Sequence, residues 1–170
     1  MNLSAADAHG NLIAITLTHG GGYGAKVVVD GLGMVLGHGM SRFDPRPGRP
    51  NSPGPGKRPL NNMCPTIVTR DGVPVLAAGG AGGTRIPNSV YEVLVNAVGL
   101  GATPDAAMAS PRLHTDGTLQ LGLEKSHSAA DEAFLKALGY ETTRGASANV
   151  SVAAFDPVTR QTRGITNGTT

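Results

Sequence analysis

A chain of 170 residues is long enough for one ordinary domain with a real core, and with 39% hydrophobic and only 15% charged residues it is too apolar for a disordered one. A net charge of +2 without a basic stripe, three Tyr, three Phe and no Trp argue against a nucleic-acid partner, which needs cationic tracks and stacking rings. The single cysteine, Cys64, excludes an internal disulfide and a cysteine-based zinc cluster, and no apolar run reaches the roughly 18 to 20 residues of a membrane span.

In chain order, residues 3–7 and 12–18 flank Ala8-His9-Gly10-Asn11, and Ile13, Ile15 and Leu17 alternate with smaller residues, which predicts a β-hairpin. After the glycine cluster at 20–24, Val27-Val28-Val29, the turn Asp30-Gly31 and Met34-Val35-Leu36 predict a second one. Residues 37–59 are rich in Gly, Pro, Arg and Ser, which reads as a long loop: a lid, a binding loop or a disordered stretch. Residues 66–69 and 73–78 flank Asp71-Gly72 as a third hairpin, whose second strand runs into Gly79-Gly80-Ala81-Gly82-Gly83, where backbone approaches something closely. A helix capped by Asn88 should bury Val90, Val93, Leu94, Ala97 and Val98 and end at Gly99 or Gly101.

Thr103-Pro104-Asp105 starts a short helix that Pro111 ends, and strands follow around Leu113 and over 119–123. Ser128 with Asp131 forms a capping box for a helix presenting Phe134, Leu135 and Leu138 and stopped by Gly139. Residues 148–155 and 162–165 close the chain as a hairpin across Asp156-Pro157. The whole, residues 1–170, reads as a single domain without internal repeats.

Several short motifs suggest chemistry. His19-Gly20-Gly21-Gly22 imitates the amide-rich oxyanion loop of α/β-hydrolase esterases, but no Gly-x-Ser-x-Gly accompanies it and the following residues are strand-like. The same residues fail as a dinucleotide fingerprint for want of a following helix, and Gly56-Lys57 lacks the hydroxyl residue of a phosphate loop. His9, His19, His38, His114 and His127 show no ligand spacing, so neither a metal site nor a cofactor is expected.

The run Pro55-Gly56-Lys57-Arg58-Pro59-Leu60-Asn61-Asn62-Met63-Cys64-Pro65-Thr66-Ile67-Val68, with Gly82-Gly83-Thr84-Arg85-Ile86, resembles the gamma-glutamyltransferase family. Asp7 with Gly10-Asn11, residues 33–43 and Ala109-Ser110-Pro111-Arg112-Leu113-His114 extend the likeness, in order, over nearly the whole chain. The resemblance is to the small catalytic subunit, within the N-terminal-nucleophile hydrolase superfamily. It implies an α+β fold, half of a four-layer αββα sandwich, whose other layers come from a large subunit cut from the same precursor.

It also implies an N-terminal Thr that attacks the gamma-glutamyl carbonyl with its own α-amine as base. Aligned on Ser4, Asp7 and Gly10, that Thr falls immediately before Met1, so this chain alone is expected to be inactive. Thr18 matches the Thr that supports the nucleophile, Gly82 and Gly83 match the oxyanion-hole glycines, and Asn61 and Asn62 stand where a Ser pair holds the substrate carboxylate. Two departures concern recognition: Arg42 replaces the Asp that grips the α-ammonium, and Gly39 replaces a nearby Glu or Gln. The implied substrate is a gamma-glutamyl or related amide, with a different, more acidic acyl group favoured by Arg42. Many family members are exported, so a periplasmic or extracellular full-length protein fits the resemblance, as does a cytoplasmic one. The competing readings are a catalytically dead binding or scaffold module and an unrelated α+β protein whose glycine loops are turns.

Overall fold

A computed structural model describes residues 1–145 and 147–167. Its contacts group into two units, residues 1–16 with 63–170, and residues 17–62.

The larger unit is built on a four-stranded antiparallel sheet of β5 (Thr66–Arg70), β6 (Val73–Ala81), β10 (Asn149–Phe155) and β11 (Thr162–Thr166), in the order β11-β10-β6-β5. Side chains alternate across a strand, and the two faces of β6 meet different partners. Leu76 and Ala78, with Val150 and Val152 of β10, join the core that holds Ile86, Val90 and Val93 of helix α1 (Ile86–Leu94). A Cβ on Gly80 would lie 3.3 Å from Ile86 Cγ2, so this face approaches the helix at backbone distance. On the opposite face, Gly79 and Ser151 lie against Asn2, from the hairpin β1 (Asn2–Ala6) and β2 (Leu12–Thr16). Helix α2 (Pro104–Ala109) adds the fully buried Ala107 and the buried Met108 to the helical side.

The same hairpin leaves its other face uncovered. Leu3 pairs with Ile15 and Ala5 with Ile13, and Leu3, Ile13 and Ile15 remain 53%, 45% and 48% exposed.

A second sheet joins β7 (Leu113–His114), β8 (Gln120–Leu123) and β9 (Glu141–Arg144), with β8 and β9 parallel. Helix α3 (Ala129–Ala137) forms the crossover between them. Its expected capping box is present: Ser128 Oγ accepts from Asp131 N at 3.0 Å and Asp131 Oδ2 accepts from Ser128 N at 3.1 Å. Of its apolar face, Phe134 and Leu138 are 64% and 59% exposed, whereas Leu135 is half-buried.

One expected cap is corrected. Helix α1 begins at Ile86 after Arg85, because Pro87 takes one of the first helical positions, where its missing N–H costs nothing. Asn88 therefore lies inside the first turn, and its amide donates instead to the Thr115 carbonyl at 3.4 Å. Beyond Leu94 the backbone widens into a π-turn over Val95–Gly99. Strand β9 has no counterpart in the hydrophobic pattern of the sequence. No helix among the described residues is long and apolar enough to cross a membrane.

The smaller unit contains the short hairpin β3 (Val28–Val29) and β4 (Met34–Val35), then a 3-10 turn at Gly39–Arg42. The following loop carries its own bonds: Asp44 N donates to the Asn51 carbonyl at 2.9 Å, Arg49 N to Ser52 Oγ at 2.8 Å, and Ser52 Oγ to the Arg46 carbonyl. A bidentate ion pair between Arg46 and Asp44, at 2.9 and 2.7 Å, holds the Asp44 carboxyl below its usual range.

Candidate active site

The chemistry expected of the Gly-rich stretch depends on backbone direction at the end of β6. Gly82 has φ 153° and ψ 24°, which side chains disfavour, and it precedes a 3-10 turn at Gly83–Arg85 whose first residue has φ 66°. A Cβ on Gly82 would sit 2.7 Å from Ala148 Cα and 2.8 Å from Ala148 Cβ, so only glycine lets the backbone lie flat on the start of β10. Residues Gly82 and Gly83 are exposed, and their N–H groups form no hydrogen bond within the described residues. Two free donors side by side suit an oxygen that gains negative charge during reaction.

The beginning of the chain lies beside the same strand. A Cβ on Gly79 would fall 2.3 Å from the Asn2 side chain, so the absence of one makes room for Asn2 against β6. With its amide turned to satisfy both ends, Asn2 donates to Thr16 Oγ1 at 2.6 Å and the Ile15 carbonyl at 3.0 Å, and accepts from Ser151 Oγ at 2.6 Å. Ser4 Oγ donates to the Ser151 carbonyl at 3.1 Å. This polar seam pins the first strand to the central sheet, and sequence reasoning missed it because Ser151 is 149 positions from Asn2.

Behind the glycines lies a second polar cluster that sequence reading also missed. Arg112 is only 2% exposed; its Nη2 donates to Glu124 Oε1 at 2.7 Å and its backbone N to Glu124 Oε2 at 2.8 Å. Ser147 Oγ donates to the same carboxylate. Burial pushes the Glu124 carboxyl up, but these hydrogen bonds outweigh it and hold it below the usual range. Glu92, whose carboxylate accepts from Leu113 N at 3.1 Å, has no such set of donors, and burial raises its pKa to about 7.

The remaining candidates belong to the smaller unit. Thr18 is exposed beyond the end of β2, and its Oγ1 accepts from Gly20 N at 3.0 Å, closing a local turn. The His19-Gly20-Gly21-Gly22 run folds back on itself: His38 N donates to the His19 carbonyl at 2.6 Å, and Gly24 N donates to Gly21. The segment that follows is the β3–β4 ribbon, so the helix of an esterase nucleophile turn does not follow this loop. Gly39 opens the 3-10 turn that Arg42 closes. The half-buried Arg42 offers its carbonyl to Asn51 Nδ2 at 2.7 Å, and among the described residues no carboxylate pairs with its guanidinium. Asn61 is exposed, whereas Nδ2 of Asn62 is buried without a hydrogen-bond partner among the described residues. In the larger unit, Cys64 is free and half-buried at the edge of the main core, and burial pushes its thiol up.

The chain is similar to known proteins in sequence and in fold. The gamma-glutamyltranspeptidase family model matches residues 1–169. The acylase ACY 1 proenzyme of a Pseudomonas species is 34% identical over 158 residues, which are 92% of this chain and 28% of that protein. The glutathione hydrolase proenzyme of Escherichia coli is 35% identical over 147 residues, 80% of this chain and 25% of that protein. The chain thus spans between a quarter and a third of the length of these relatives. In structure it is similar to a mutant of Helicobacter pylori gamma-glutamyltranspeptidase, with a TM-score of 0.83 at 28% identity over 98% of this chain and 96% of that one. The Bacillus anthracis transpeptidase CapD shares the fold, with a TM-score of 0.74 at 20% identity over 100% of this chain and 98% of that one. Matched along nearly its whole length in sequence and in fold, the chain belongs to the gamma-glutamyltranspeptidase family.

Proposed function

We propose that this chain carries the acyl-transfer machinery of an enzyme that hydrolyses or transfers gamma-glutamyl or related acyl groups from amides. The observation that carries the reading is the end of β6, where the N–H groups of the exposed Gly82 and Gly83 form no hydrogen bond within the described residues while Gly79, on the same strand, lies against Asn2. In this reading a Thr directly precedes Met1, two residues before the Asn2 that lies against Gly79 of the strand leading to the glycine donors. Its hydroxyl attacks the amide carbonyl, its α-amine takes the proton, and the Gly82 and Gly83 amides steady the tetrahedral oxyanion. The amine leaves with a proton, and water or a second amine then releases the acyl group. Thr18 supports the nucleophile.

Recognition falls to Gly39, Arg42, Asn61 and Asn62. The unpartnered Asn62 Nδ2 is a donor suited to a substrate carboxylate. Arg42, a cation without a carboxylate partner among the described residues, repels an α-ammonium and favours an acyl chain that lacks one or carries an extra acid. An acylase among the relatives fits that preference. The exposed apolar face of Leu3, Ile13 and Ile15 supports a large-subunit partner completing a four-layer αββα sandwich, in line with relatives that are proenzymes.

The test is covalent trapping in the protein translated from its complete reading frame. Incubation with glutaryl and gamma-glutamyl anilides should give an acyl adduct by intact mass, localised to a Thr preceding Met1, with the glutaryl compound turned over faster. Arg42→Asp should reverse that preference. Anilide turnover with the acyl group on any other residue, or no adduct and no turnover, would remove the reading.

A further inference from the structure

The Arg112–Glu124 pair is an expensive way to join two segments. Its side chains are 3% and 17% exposed, and a buried ion pair of this kind is often matched in stability by apolar residues of similar volume. Nε and Nη1 of Arg112 are moreover buried without partners among the described residues. Stability alone gives such an arrangement little reason to exist.

That geometry leads, contact by contact, to the glycine donors. Glu124 follows β8 and Arg112 follows α2, so the pair ties the end of the second sheet to the end of a helix on the central one. Glu124 Oε1 accepts from Ser147 Oγ, which fixes the residue before Ala148. Ala148, fully buried, donates its N–H to Ser89 Oγ at 3.3 Å, and Ser89 is itself fully buried on α1. Ala148 is in turn the surface on which the Gly82 backbone lies, and Asn149 pairs with Ala81. Every element of this chain of contacts belongs to the same compact unit.

We propose that Arg112, Glu124 and Ser147 are positioning residues for the Gly82 and Gly83 amides: the ion pair holds Ser147, Ser147 sets Ala148, and Ala148 sets the angle at which the two N–H groups leave the sheet. The proposal rests on the acyl-transfer reading for its catalytic consequence, though not for its structural content.

The experiment compares the purified protein translated from its complete reading frame with Ser147→Ala, Ser147→Thr, Glu124→Gln and Arg112→Lys, and uses Ser128→Ala as a destabilising variant remote from the loop. Amide order parameters from 15N relaxation are read at Gly82 and Gly83, with kcat and KM for anilide hydrolysis in parallel. Ser147→Ala should drop both glycines from about 0.85 to below about 0.6, while residues in the middle of β6 and β10 keep their values. In parallel kcat should fall roughly tenfold or more with KM nearly unchanged, as loss of a donor interaction made in the transition state requires. Ser147→Thr, which keeps the hydroxyl, should restore both readouts. Should Arg112→Lys or Glu124→Gln fail to fold, Ser147→Ala decides alone. Unchanged order parameters in Ser147→Ala, or an equal loss in Ser128→Ala, would overturn the proposal. Glycines loosened by Ser147→Ala, alongside an unmodified protein that turns over no amide, would leave the positioning standing and remove the acyl-transfer reading.

Discussion

Adding one methyl group to each of the two donor glycines should have very different effects. At Gly82 an L-residue must adopt φ 153° with ψ 24°, a strained conformation costing about 1–3 kcal/mol. Its Cβ would also sit 2.7 Å from Ala148 Cα, against backbone that cannot swing aside, and overpacking of this kind costs about 1–3 kcal/mol more. At Gly83, φ 66° is the ordinary left-handed well, costing about 1–2 kcal/mol, and no atom lies within 4 Å of the added carbon. Taking about 4 kcal/mol for Gly82→Ala and about 1.5 kcal/mol for Gly83→Ala, at about 2–4 °C per kcal/mol for a chain of this size, the thermal midpoint falls by about 8–16 °C and about 3–6 °C. Melts followed by circular dichroism at one protein concentration measure both. Equal shifts, or a larger one for Gly83→Ala, would refute the claim that Ala148 is the surface that shapes this turn.

Glu92→Gln should stabilise the protein at pH 8. A carboxyl whose pKa rises from 4.5 to about 7 on folding contributes stability present below pH 4.5 and lost as pH climbs through 7. Because the group is only partly buried the gain is on the order of 1 kcal/mol, and urea titrations at pH 4 and pH 8 should show it shrinking toward the acid side. Glu132 behaves oppositely: hydrogen bonds from Lys136, Arg144 and Thr142 lower its pKa to about 2, so its contribution is present above pH 4.5 and lost as pH falls through 2. Glu132→Gln should therefore melt lower than the unmodified protein at pH 7 and together with it near pH 2. Leu123→Ala, at a fully buried position, should cost about 2–5 kcal/mol in the same titrations.

The hairpins were legible because each is a local event: Asp71-Gly72 and Asp30-Gly31 turn the chain, and both turn glycines have positive φ. The capping box at Ser128 was legible for the same reason, its two bonds spanning three residues. Strand β9 was not, since Glu141-Thr142-Thr143-Arg144 has no apolar alternation and becomes a strand only through parallel pairing with β8, twenty-one positions away at Gln120 and Glu141. The placement of Gly82 and Gly83 at a strand end was readable, but what shapes them was not. Ala148 and Ser147 carry no pattern of their own, and their role depends on contacts made across the fold.

The small residues of β6 have a common physical origin. A strand covered on both faces would ordinarily carry large apolar side chains, yet residues 77–83 hold only Ala and Gly. Gly80 brings the sheet within backbone distance of Ile86 and Val90, and Gly79 does the same for the first strand through Asn2. Larger side chains at these two positions would push the helix and the hairpin outward from opposite faces. The distance between the start of β1 and the Gly82 turn is therefore set by the absence of side chains. The glycine run, which reads in the sequence as a place of close backbone approach, is in the fold the spacer between helix and hairpin, and the Gly82 turn lies at its end.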